Sequence, residues 1–202
     1  VALFFMLPYA PLEIARWIHL KHHAHTACSS DPDNFMHHGS WWALPLRWAN
    51  FDAFYTAYFV KAYFEGEAIA RRYAFAVGAY VAVLVAIVAG FVVAGYGMEL
   101  FVYWFIPSRI GLMLTGCVFV YLPHHPADIS AHQDKYAAST IRQGWEWLMT
   151  PLMAFHNYHL IHHLYPQVPF YNYLKMWDLR GEEILSHNPA MLGTFKLRPD
   201  DR

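Results

Sequence analysis

Residues 74–97 read AFAVGAYVAVLVAIVAGFVVAGYG, twenty-four positions without a charged side chain, directly after Arg71 and Arg72. A helix needs about 20 apolar residues to cross a hydrocarbon core, so this stretch predicts a membrane-spanning helix. After a turn at residues 96–99 comes a second apolar stretch, LFVYWFIPSRIGLMLTGCVFVYL at residues 100–122, interrupted by Pro107, Ser108 and Arg109. Pro107 reads as the first-turn proline of a return helix, where its missing N–H costs nothing. Residues 100–106 then lie aromatic-rich in the far interface. The two stretches predict a transmembrane hairpin over about residues 74–122. Six Lys/Arg precede residue 74, seven follow residue 122, and the turn between the spans has none. That asymmetry puts both flanks on the cytoplasmic side. Arg109 is either a functional intramembrane charge or a side chain snorkelling to the outer interface; the second reading is preferred.

Composition agrees with a membrane environment. The 202 residues are 57% hydrophobic and 14% charged, against roughly 25% charged in an ordinary soluble domain. A net charge of -1 withholds the basic footprint that a nucleic-acid binder needs. Cys28 and Cys117 lie in dissimilar surroundings and give no disulfide framework. The N-terminal VALFFMLPYAPLEIARW is apolar but broken by Pro8 and Pro11. It lacks the basic start and cleavage site of a signal peptide and reads as the trailing end of an earlier membrane segment, the chain being an N-terminally truncated fragment. Segments 40–64 and 136–155 mix aromatics with isolated charges. They read either as helices lying in the interface or as amphipathic core helices.

The 14 histidines carry the chemistry. His19-Leu20-Lys21-His22-His23 and His159-Leu160-Ile161-His162-His163 share one spacing. On a helix, positions i, i+3 and i+4 project from one face, so each triad aims three imidazoles at a common point. Both fall on the same side of the hairpin and are expected to converge beneath it. His156 stays near the second triad's face, as a ligand or as a partner that orients one. His124 and His125, in YLPHHP, offer one extra ligand or a pair facing headgroups. His25 points from another face and suits a hydrogen-bonding role. His37, His38, His132 and His187 share no such spacing and read as surface residues. Asp31 and Asp33 either orient imidazoles through their carboxylates or form a turn around Pro32.

A structural zinc site takes four ligands and is usually rich in cysteine, which fits poorly here. HExxH and Glu-x-x-His are both absent, which removes the zincin protease and the carboxylate-bridged di-iron bundle. Six or more imidazoles suit two metal ions, and iron accepts such ligands.

HLKHHAHT followed by DPDNF, then LPHHP, then NYHLIHHLYPQVPFYNY resembles the membrane fatty acid desaturase superfamily, which includes acyl-lipid desaturases and carotenoid ring hydroxylases. The match runs from about residue 8 to 178. The resemblance implies an all-α integral membrane helical bundle whose cytosolic histidine-rich cap holds two irons. It also implies dioxygen as co-substrate and electrons from a ferredoxin- or cytochrome-type donor protein. The chain then reads as one domain over 1–202, with metal-binding segments 12–40 and 123–178. His19, His22 and His23 fall on the family's second histidine box, and His159, His162 and His163 on its third. Asn157 and Tyr158 match the surroundings of the third box, and His124 or His125 matches an intermediate ligand. The family's first box has no counterpart in this sequence.

The expected reaction is oxidation of a long-chain lipid, with fatty acyl desaturation first and carotenoid ring hydroxylation as the alternative. Two rivals are a histidine-rich metal transporter, which needs polar ligands near the bilayer midplane, and a scaffold holding a structural metal.

Overall fold

A computed structural model describes residues 12–199; the expected end of an earlier membrane segment lies largely outside them. The helices are α1 (Leu12–His25), α2 (Leu44–Ala49), α3 (Phe51–Glu65), α4 (Ala68–Val93) and the continuous α5 (Gly97–His124). After these come β1 (Thr140–Gln143), α6 (Glu146–Leu152), α7 (His159–Leu164), α8 (Tyr173–Leu185) and β2 (Ala190–Gly193). The chain divides into two compact units, residues 12–21 with 46–114 and residues 22–45 with 115–199.

In the first unit, Ile14, Trp17 and Ile18 recur at helical spacing on α1. They bury against Phe59 and Ala62 of α3 and Ala70 of α4, the stripe by which a helix joins a core. Gly66, at φ 89°, ends α3 with its N–H donating to the carbonyls of Ala62 and Tyr63, a left-handed cap that glycine adopts without strain. α4 and α5 are both long and apolar enough to cross a membrane, and none of the apolar window of α4 is buried within the chain. Apolar surface of that extent needs a partner other than water.

One expectation changes here. α5 starts at Gly97 and runs unbroken through residues 100–106 and Pro107, so Pro107 lies inside a helix and does not begin one. A proline removes one ladder hydrogen bond, and the wide, π-type turn over Phe101–Phe105 immediately before it accommodates that loss. Arg109 has a partner within the unit. Its Nη2 donates to Asp52 Oδ2 at 2.7 Å, and its Nη1 to Asp52 Oδ1 at 3.0 Å and to the Ala49 carbonyl at 3.2 Å. This fork matches the planar carboxylate.

Breaking a fully buried pair costs about 3–5 kcal/mol. Arg109 and Asp52 are 21% and 18% exposed, so about 1–3 kcal/mol is expected for Asp52→Ala. Thermal unfolding in detergent should show Asp52→Ala less stable than the double variant Asp52→Ala/Arg109→Leu, because only the single variant strands a charge.

The second unit departs from an all-helical reading. β1 and β2 form a parallel pair, with Thr140 opposite Ala190 and Gln143 opposite Gly193. Segment 136–155 is therefore not one interfacial helix: it holds β1, then Gly144 at φ 106°, then α6. The β-branched Thr140 and Ile141 favour the strand. A side chain at Gly144 would meet Thr194 Oγ1 at 2.5 Å, so glycine lets the chain turn close to its neighbour. Segment 40–64 is largely helical, broken between α2 and α3. Ile141 of β1 packs with Tyr158, Leu160 and Ile161 around α7 and with Tyr173 and Ile184 of α8. This core holds the back of α7 while its histidines face away from it.

Candidate metal centre

α7 is short because its ends are fixed locally. Phe155 at φ 67° turns the chain into it, and Tyr165 precedes Pro166, which disfavours helical geometry at Tyr165. Leu160 and Ile161 are fully buried, so the opposite face presents His159, His162 and His163. His22 and His23 lie on the last turns of α1, and His124 ends α5.

Four Nε2 atoms form a chain of close approaches within this unit: His22 to His124 at 3.2 Å, His124 to His159 at 3.0 Å, and His159 to His163 at 3.1 Å. Ligand atoms of all four residues lie within 4.8 Å of one another. Beside them His23 Nε2 lies 2.9 Å from His162 Nε2, and the His23 ring stacks on His163 at 4.3 Å. His19 is exposed, one turn before His23 on α1, in the first unit.

The other ring nitrogens determine what the cluster can hold. His22 Nδ1 faces Asp31 Oδ1 at 3.0 Å and Asp33 Oδ2 at 3.3 Å. His124 Nδ1 faces the Ala138 carbonyl at 3.2 Å. Each Nδ1 therefore donates its N–H outward, and the Nε2 lone pairs turn inward. Facing lone pairs at 3.2 Å repel, and a cation between them removes the repulsion. Burial, and then the neighbouring imidazoles, hold His159 and His163 well below the usual histidine range, neutral and ready to ligate. Burial disfavours charge on His22 as well, but Asp33 and Asp31 outweigh it and raise its pKa. Those carboxylates favour a positive charge at His22, a role that a metal at Nε2 fills in place of a proton. Imidazole nitrogens without a thiolate fit a first-row divalent metal.

Asp31 fulfils both roles open to it. It accepts from His22, and it also accepts the backbone N–H groups of Ala27 and Asp33, each at 2.8 Å, which builds the turn. Of the adjacent pair, His124 joins the cluster. His125 stays outside it: its ring lies 4.7 Å from that of Tyr121, and with His124, Asp128 and Arg198 it borders a cavity of about 260 Å³. His156 donates from Nδ1 to the Ala154 carbonyl, and its ring lies 5.3 Å from that of His159, beside the four-nitrogen group rather than in it. The Asn157 amide donates to Thr150 Oγ1 and the Arg142 carbonyl, bracing the turn before α7. His25 lies outside the cluster, with its ring 6.1 Å from that of His132.

His37 is a correction. It is not a solvated surface residue: its ring stacks on Tyr121, lies 5.8 Å from that of His124, and is pushed down to about 3, chiefly by burial. No periodicity marks it, because it caps a single 3-10 turn, Asn34–Met36, too short to set a helical spacing.

A pH dependence follows for the metal-free protein. His37, His159 and His163 have folded-state pKa values below the unfolded value near 6.5. Their contribution to stability is present above about pH 6.5 and is lost as pH falls, because only the unfolded chain takes up the protons. His22, with a raised pKa, acts in the opposite sense, but it stands against these three and against His125 and His156, which burial also lowers. After chelator treatment, the melting temperature should be lower at about pH 5.5 than at about pH 7.5.

A helical protein with two potential membrane spans and an all-imidazole cluster that could hold a metal ion belongs to a narrow class. This chain belongs to the fatty acid desaturase family, whose sequence profile matches residues 1–195. It is also similar to the beta-carotene ketolase of a Paracoccus species, at 28% identity over 153 residues, 76% of this chain and 53% of the ketolase. The chain thus spans about half the length of that curated relative. No solved structure matches it.

Proposed function

We propose that this protein oxidises a long-chain lipid at a C–H bond, using two irons held by its histidines, with dioxygen as co-substrate. The observation that carries the reading is the inward convergence of the Nε2 atoms of His22, His124, His159 and His163. These four would hold one iron. His23 and His162 would hold the second, with His19 a further ligand by its helical spacing. When bound, the irons supply the oxidising power toward an unactivated C–H bond that amino-acid side chains lack. The chain's own part is positioning. Asp31 and the Ala138 carbonyl fix the His22 and His124 rings, the Ile141–Leu160–Ile161 core holds α7 still, and burial keeps His159 and His163 neutral.

α4 and α5 would form a membrane hairpin, with the histidine-rich segments on its cytoplasmic side and a ferredoxin- or cytochrome-type donor docking there. A bilayer-resident substrate suits such a site, since each buried methylene contributes about 0.8 kcal/mol. Similarity to a ketolase of beta-carotene favours ring-methylene oxidation of a carotenoid; the family description favours acyl desaturation as the second reading. Expression at native length in cells supplying both lipid classes, followed by lipid mass spectrometry, tests this. Oxygen gained on a carotenoid supports the first reading and two hydrogens lost from an acyl chain the second. No change in either lipid overturns both.

A further inference from the structure

At the link between α4 and α5 an open groove of about 250 Å³ is lined by Phe91, Tyr96, Glu99, Leu100, Tyr103 and Trp104. Four of these six residues are aromatic, and the rings of Phe91 and Tyr96 meet edge to face at 6.4 Å. Glu99 is the one charged residue between Arg72 and Arg109 in the sequence. Among the described residues no ion pair engages it.

The faces of aromatic rings attract cations, and a nearby carboxylate adds to the field. The apolar walls decide which cation. A primary ammonium entering would surrender hydrogen bonds to water with one carboxylate to replace them, at a desolvation cost. A trimethylammonium carries the same charge behind methyl groups and has no N–H to satisfy. The position names its source: the 26 residues of α4 rise about 39 Å, longer than the roughly 30 Å hydrocarbon core, so the α4–α5 link lies at the depth of lipid headgroups. We propose that this groove binds the choline headgroup of a phosphatidylcholine in the leaflet facing the link. The inference rests on α4 and α5 crossing a bilayer and is independent of the oxidation chemistry.

The test reconstitutes the native-length protein in nanodiscs of equal phosphatidylcholine, phosphatidylethanolamine and phosphatidylglycerol. Lipid retained after detergent extraction is then measured by native mass spectrometry. Phosphatidylcholine should be enriched about two- to fivefold, the equivalent of an exposed cation–π contact. Glu99→Gln and Trp104→Leu should abolish the enrichment, while Trp104→Phe, which keeps a ring, should retain most of it. Should Trp104→Leu not fold, judged by its melting temperature, the exposed Glu99→Gln carries the test alone. Equal retention of the three lipids, equal preference for ethanolamine, or choline enrichment unchanged by Glu99→Gln overturns the proposal.

Discussion

Replacing His124 with alanine is expected to remove one iron per chain and to lower lipid oxidation by at least about a hundredfold, beyond the 10–100-fold typical of losing an outer partner. His124 is the middle of the nitrogen chain, its Nε2 lying 3.2 Å from that of His22 and 3.0 Å from that of His159. No other nitrogen of the four has both as neighbours at hydrogen-bond distance, so its loss separates the α1 ligand from the α7 ligands. His125→Ala is the matched control. It removes an imidazole one residue away that is not among the grouped nitrogens, and iron content should not change. If both variants lose iron equally, or neither does, the assignment of His124 fails.

Asp31→Asn is expected to cost 10–100-fold in iron affinity or turnover, the range for a partner that orients a ligand. The Asp31 carboxylate accepts the His22 Nδ1–H and two backbone N–H groups. An asparagine amide has one acceptor oxygen and an NH2 that must face one of those donors. His22 then loses both its orientation and the negative charge that favours a cation at its Nε2. Iron retained against a graded chelator series measures the affinity, and retention equal to that of the unaltered protein would contradict the role.

The parts that the sequence reveals are the local ones. A 26-residue apolar helix is legible because length and composition suffice, and HxxHH is legible because three imidazoles at i, i+3 and i+4 need only a helix to share a face. Contacts across the chain are not legible. Arg109 looks isolated in its span because Asp52 lies 57 residues earlier. β1 and β2 are 50 residues apart in register, so no local pattern links them. Choosing between His124 and His125 depends on the rotation at the last turn of α5, which spacing does not specify. His37 reaches the cluster from the end of a single 3-10 turn. Pro107 misleads because π-type turns absorb a proline that would otherwise mark a helix start.

Metal analysis of the native-length protein tests the central claim most directly. About two irons per chain are expected, with the count falling in His162→Ala while the protein stays monodisperse in detergent. One tightly held zinc and no iron, unchanged by His162→Ala, would contradict the account.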